Sequence, residues 1–243
     1  MKDKIVIAVD GPAGSGKSSV CKLVALKLGL KYIDSGALYR AITYYFIKKN
    51  GLVKLNLDSM CNLDDIKIEQ EYSKDGILKV FLNSEDVSNE IRDESVTKNI
   101  GIISSDKNIR DMVTEMLRKW SNKESIIMDG RDIGTVVFPH AELKIYLDAS
   151  VEIRAKRRVL EYLEMGKNLD ENDIRFQIMQ RDEQDRNREF GSLIKAHDAV
   201  YIDTSDMSQE DVVCEISDMI KNIGFNAKQD FQVYENHYIK EKG

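Results

Sequence analysis

Short apolar runs recur along the chain and alternate with stretches of helical period. Residues 5–9, 31–34, 125–129, 143–148 and 199–203 each read as a brief buried strand. Between them, Val20, Leu23, Val24 and Leu28 mark a helix over 17–28 that Gly29 stops. Ser35 is the expected N-cap of the next helix, over 36–50, with Leu38, Ile42, Tyr45 and Phe46 inward and Gly51 after it. Met112, Met116 and Trp120 mark a further helix. Ser150 and Asp170 each open one, the first stopped by Gly166. Residues 208–211 form a capping-box pattern ahead of the stripe Val212, Ile216, Met219, Ile220 and Ile223, with Gly224 at its end.

Strands alternating with helices in this way predict an α/β protein. Residues 63–102 break the alternation. Apolar positions from Ile66 to Tyr72 and from Ile77 to Leu82 flank Ser73-Lys74-Asp75-Gly76, which predicts an antiparallel hairpin with a D-G turn. The expected organisation is therefore a core of residues 1–62 and 103–224, a small insertion over 63–102, and a C-terminal extension over 225–243 to which no role is given.

The first strand leads into the most informative stretch, IVIAVDGPAGSGKSS over residues 5–19. Gly11, Gly16, Lys17 and Ser18 fit the G-x-x-x-x-G-K-[ST] phosphate-binding pattern between a strand and a helix. Small residues let phosphate oxygens approach backbone N–H groups, and the helix start adds unpaired donors and a positive dipole end. Gly11, Pro12, Ala13, Gly14, Ser15, Gly16, Lys17, Ser18 and Ser19 thus form a candidate ATP site. Lys17 would neutralise the β- and γ-phosphates, and the Ser18 hydroxyl would ligate Mg²⁺.

Composition narrows the setting. The net charge of −6 argues against a surface that coats nucleic acid. The longest apolar runs fall well short of a membrane span, and the N-terminus has too short an apolar core for a signal peptide, so a cytoplasmic protein is expected. Cys21, Cys61 and Cys214 are widely spaced and form no C-x-x-C pair, which favours incidental thiols.

Arginines cluster despite the acidic balance. Arg181, Asp185 and Arg188 continue a helical stripe begun by Ile174 and Ile178, while Arg131 and Asp132 follow a strand end, where ligands collect in open parallel sheets. Arg154, Arg157 and Arg158 lie at i, i+3 and i+4, and a mobile helix supplying them to the γ-phosphate is expected. His140, His197 and His237 stand away from these motifs. An arginine-rich site without an evident base suits a phosphate acceptor, which is already an anionic nucleophile.

Taken together, GPAGSGKSS (11–19), DSGALYR (34–40), EDVSNEIR (85–92), DGRDIGTVVFP (129–139), KIYLDAS (144–150) and RDEQDRNR (181–188) resemble the bacterial cytidylate kinase family, the CMP/dCMP kinases among nucleoside monophosphate kinases. The resemblance implies a P-loop kinase with a five-stranded parallel sheet flanked by helices, an inserted small monophosphate-binding domain and a helical lid at about 151–170. It implies Mg²⁺-dependent transfer from ATP to CMP or dCMP, for pyrimidine nucleotide supply. By the same resemblance Ser35 and Arg40 meet the acceptor, with Arg40, Arg131 and Arg188 on its phosphate. Arg110 and Asp132 read cytosine, and Arg181 and Asp185 hold the sugar. Lys17, Arg131, Arg188, Arg154, Arg157 and Arg158 are the candidate catalytic residues, on a chain expected to act as a monomer.

One departure concerns Gly101, where the family often has a serine hydroxyl on the base. Ser104 or Ser105 could substitute. The departure bears on the tightness of cytosine selection rather than on the reaction. Two other classes stay open at this stage: a nucleotide switch of the GTPase kind, although no N-K-x-D or D-x-x-G motif is present, and a P-loop kinase for a small non-nucleotide acceptor.

Overall fold

The computed structural model describes residues 4–50, 63–72, 78–164 and 166–225. Contacts divide the chain into one unit of residues 1–33 with 118–243 and another of residues 34–117.

The first unit is built on a five-stranded, all-parallel sheet. Its strands are β1 (Val6–Asp10), β2 (Lys31–Asp34), and, after the second unit's β3 to β5, β6 (Ile126–Gly130), β7 (Leu143–Asp148) and β8 (Val200–Asp203), in the order β2-β6-β1-β7-β8. All five residues of β6 are buried, as are the last four of β1. Burial on both faces explains why these strands read as continuous apolar runs rather than alternating ones. Asp10 and Asp129 are the exceptions, and both sit at strand ends. β1 is central, with β6 on one side and β7 on the other. The loop after β1 therefore leaves the sheet where the strand order turns in both directions, the usual ligand position in such sheets.

Helices α1 (Lys17–Leu28) and α7 (Gln209–Asn222) pack on one another. α5 (Val151–Glu164) and α6 (Glu171–Arg186) form a second pair. Ala155, Ile174 and Ile178 are its buried seam, with Val151, Val159 and Tyr162 packed around them. The expected caps hold: Asp170 accepts from Asn172 and Asp173 N–H groups, and Ser208 and Asp211 form the reciprocal capping box. Gly29 ends α1 at φ 67°, which a Cβ-bearing residue adopts only with strain.

The second unit contains α2 (Ser35–Asn50), the antiparallel sheet β3 (Ile68–Tyr72), β4 (Leu78–Leu82) and β5 (Glu85–Asp86), and α3 (Glu94–Ser105) with most of α4 (Lys107–Ser121). β4 and β5 meet through Asn83 and Ser84, both at positive φ, the conformation of a two-residue hairpin turn. This unit is wider than the expected 63–102 insertion, because α2 packs on α3 and β4. The D-G turn over 73–76, Gly51, Cys61 and the extension past 225 lie outside the described residues.

Three local expectations need correction. α2 begins at Ser35, and its cap is Asp34, whose Oδ1 accepts the Ala37 N–H at 3.0 Å. A carboxylate one residue earlier reaches the same first-turn donors. The buried face of α4 is Ile109, Val113 and Leu117, leaving Met112, Met116 and Trp120 only half-buried. Ile223 lies beyond the end of α7 and is exposed.

Candidate functional site

The glycine loop is shaped by close backbone approaches. Gly11 has φ 152°, and a Cβ there would lie 2.0 Å from the Leu147 carbonyl oxygen. Any larger residue would push the loop off β7. Gly16, at φ 85°, precedes α1, and no side chain caps that helix start. Its first N–H groups are thus left for an anion. Lys17 is buried, its Nζ donating to the Pro12 carbonyl at 2.6 Å and Ser15 Oγ at 3.1 Å. Burial, reinforced by the nearby Arg131 charge, lowers its pKa to about 7.

Asp129, at the end of β6, is a residue that motif reading left without a role. Its Oδ2 accepts from Ser18 Oγ at 2.8 Å and its Oδ1 from Tyr32 Oη at 2.7 Å. A hydroxyl beside a carboxylate is an all-oxygen donor pair, the kind a hard divalent cation prefers. Phosphate oxygens would complete such a set. Among the described residues no group of three or more His, Cys, Asp or Glu side chains could hold a metal alone.

α5 sends its arginines to different places. Arg154 is buried, with Nε on the Ala149 carbonyl at 2.9 Å and Nη1 on both the Ala13 carbonyl (2.9 Å) and Asp182 Oδ2 (2.6 Å). Asp182 Oδ1 in turn accepts the Ala13 N–H at 3.0 Å. Ala13 of the glycine loop is thus held through both its N–H and its carbonyl, so Arg154 braces the loop rather than reaching outward. Arg157 donates to Thr204 Oγ1 at 3.0 Å and to its carbonyl at 2.6 Å. It lines a cavity of about 260 Å³ together with Gly16, Leu147, Glu161, Thr204 and Met207. Arg158 is 40% exposed, paired with Glu161 at 2.9 Å and lying over the Tyr162 ring. An i+4 step from buried Arg154 places it one turn further along the helix, where solvent and Glu161 compete for its charge.

After β6, Arg131 turns towards α6. Its Nε donates to Asp185 Oδ2 at 2.7 Å, and Arg188 pairs with the other oxygen, Oδ1. Burial would raise the Asp185 pKa, but Arg131, Arg188 and Arg181 outweigh it and hold the carboxyl below its usual value. Arg131 stays above its usual value for the reciprocal reason, with Asp185 overcoming the effect of burial. The stripe read as Ile174, Ile178, Arg181 and Asp185 thus has its apolar half in the α5–α6 seam and its charged half in this cluster. Asp132 is buried as well.

In the second unit, Ser35 is buried, and Arg40 donates to Thr97 Oγ1 at 3.0 Å and the Ile91 carbonyl at 3.4 Å. Arg110 is buried, on the Ser104 carbonyl at 2.9 Å and over the Tyr39 ring at 5.5 Å. Both serines near Gly101 donate to its carbonyl, Ser105 at 2.8 Å and Ser104 at 3.4 Å.

A phosphate loop on the central strand, a buried lysine, and a hydroxyl–carboxylate pair beneath it define a P-loop nucleotide-binding protein of the α/β class. Residues 7–222 match the family model described as Cytidylate kinase. The chain belongs to the cytidylate kinase family. It is 42% identical to a cytidylate kinase of Clostridium tetani over 99% of this chain and 98% of the relative. It is 43% identical to one of Oceanobacillus iheyensis, over 91% of this chain and 94% of that protein. A solved gluconokinase from Sinorhizobium meliloti 1021 overlays with a TM-score of 0.47 at 14% identity, covering 99% of each chain; a likeness that loose decides nothing.

Proposed function

We propose that the chain transfers the γ-phosphoryl group of ATP to CMP or dCMP, giving ADP and CDP or dCDP. The observation that carries this reading is the Arg131–Asp185–Arg188 cluster, one end of which lies close enough to Lys17 to depress its pKa. Cations so placed suit a reaction in which two phosphate groups approach each other.

The donor is assigned to residues 11–19, with its nucleoside in the cavity bounded by Arg157 and Thr204. Lys17 stabilises charge on the β- and γ-phosphates. An oxygen of the acceptor phosphate attacks the γ-phosphorus, the bond to the β,γ-bridging oxygen breaks, and ADP leaves with that electron pair. The acceptor is already anionic, so positioning and charge neutralisation do the work and no base is required. Mg²⁺ bound with the triphosphate would add neutralising charge, held by Ser18 and Asp129.

Acceptor roles are proposed for Arg40, Arg131 and Arg188 on the phosphate and for Arg181 and Asp185 on the sugar. Ser35 contributes to the same nucleotide. Asp132 and Arg110 are assigned to cytosine: a carboxylate accepts from its amino group, and a guanidinium donates to its ring acceptors. Uracil presents a carbonyl where Asp132 requires a donor, so UMP is disfavoured. The bonds from Ser104 and Ser105 to the Gly101 carbonyl support a weaker hydroxyl contribution to base selection than a serine at 101 would make. Action in the cytoplasm as a monomer completes the reading; among the described residues no helix is long and apolar enough to cross a membrane.

A coupled ADP-release assay with CMP, dCMP, UMP and AMP tests the proposal. CMP and dCMP are expected to give the highest kcat/KM, and a preference for AMP or UMP would reject the cytosine assignment.

A further inference from the structure

Asp10 is a carboxylate that none of these roles uses. It ends β1, one residue before the glycine loop, and is 4% exposed. Its two oxygens accept consecutive backbone N–H groups, Oδ1 from Ile133 at 2.8 Å and Oδ2 from Gly134 at 2.7 Å. Those two residues begin a single turn of π-helix, Ile133–Val137, that directly follows Arg131 and Asp132. The turn closes back onto Asp132, whose carbonyl accepts from Val136 at 2.9 Å and Val137 at 3.2 Å.

We propose that Asp10 is a positioning residue that sets the aim of Arg131 and Asp132 from the root of the glycine loop. Two bonds from one rigid carboxylate to adjacent peptides fix both the position and the direction of the turn, which one bond would leave free to pivot. Asp10 is itself fixed by the parallel pairing of β1 with β6, where it stands opposite Gly130. The side chains of residues 131 and 132 therefore leave a backbone tied at Gly130 by the sheet and at Ile133 by Asp10. Gly134 fits this arrangement. A Cβ there would come within 3.3 Å of Asp10 Oδ2 and 3.2 Å of Lys144 Cδ, so a side chain would require the carboxylate and the lysine stem to give by a few tenths of an ångström. Small displacements of positioning groups carry large rate penalties, which gives the clamp its consequence for transfer.

The inference rests on the acceptor roles proposed for Arg131 and Asp132, and its test separates the two. Asp10→Asn keeps the shape and one acceptor oxygen but turns an amide NH₂ towards one of the two N–H groups. With the purified chain, this variant is expected to lower kcat for CMP about tenfold and the CMP-over-UMP ratio of kcat/KM about fivefold. Its affinity for a non-hydrolysable ATP analogue, read by calorimetry, is expected to stay within about threefold of wild type. Gly134→Ala, which keeps Asp10 but crowds its Oδ2 and the Lys144 stem, should show the same split to a smaller degree. It stands in if the Asp10 variant folds poorly. Wild-type transfer to CMP with kcat and base ratio unchanged in both variants overturns the inference alone. Equal losses of ATP-analogue affinity and turnover also overturn it, because Asp10 would then serve the glycine loop only. Absence of CMP phosphorylation by the wild-type chain overturns the functional reading, and the inference with it.

Discussion

Arg154, Arg157 and Arg158 form a single positive stripe in the sequence, yet each meets a different partner. Arg154 is spent on Ala13 and Asp182, Arg157 on Thr204, and Arg158 on Glu161. Arg157→Ala is therefore expected to raise KM for ATP about tenfold, the worth of roughly one charged hydrogen bond, while KM for CMP changes little. Arg158→Ala should stay within about twofold in both, as exposed ion pairs contribute little. Steady-state kinetics on the two variants checks this, and equal effects would contradict the distinct placements. Asp10 supplies a pH signature. Burial, only partly offset by the two N–H bonds, raises its pKa from 3.8 to about 7 in the folded chain. A raised folded pKa lends stability that is full below pH 3.8 and is lost as the pH climbs to about 7. Across that window the urea midpoint of wild type should fall relative to that of Asp10→Asn, and level off above it. A constant difference between the two proteins would contradict a raised pKa.

α6 joins several functions on one element. Ile174 and Ile178 hold it to α5, Asp182 grips the glycine loop, and Asp185 gathers Arg131 and Arg188. The i, i+4 spacing makes this possible, since it keeps seam and carboxylates along one side of the helix. Ile174→Ala removes buried volume from a small seam and should cost about 2–4 kcal/mol by chemical denaturation. Much of the loss should appear as weaker ATP-analogue binding, because the loop loses its brace. Helices and strands of this kind were legible in advance because periodicity is local: the strand at 31–34, the caps at Asp170 and Ser208 and the stop at Gly29 all follow from neighbouring residues. The α2 cap falls on Asp34 rather than Ser35, and the buried face of α4 on Val113 and Leu117 rather than Met112 and Met116, shifts of one position that capping and helical phase readily absorb.

For the molecule as a whole, the residues assigned to the donor all belong to the sheet-bearing unit, whereas α2, α3 and the small antiparallel sheet belong to the other. An ATP analogue at a hundred times its Kd should stabilise the chain by about 2.7 kcal/mol. In hydrogen exchange it should protect residues 11–19 more than any part of 34–117. Strong protection of α3 by the analogue alone would contradict that division.

The chain's own order of residues determined the α/β class, the phosphate loop, most element boundaries and the set of arginines, since spacing and composition act over a few residues. Tertiary structure alone decided who meets whom. Ser18 finds Asp129 across 111 positions, Asp10 finds Ile133 across 123, and Ala13 finds Asp182 across 169. Such partners are chosen by how strands stack and helices cover them, and no local period encodes that. Asp10 and Asp129 close two apolar strands, VIAVD and IIMD, and the packed sheet alone gives Asp129 the phosphate loop's serine and Asp10 the turn beside it.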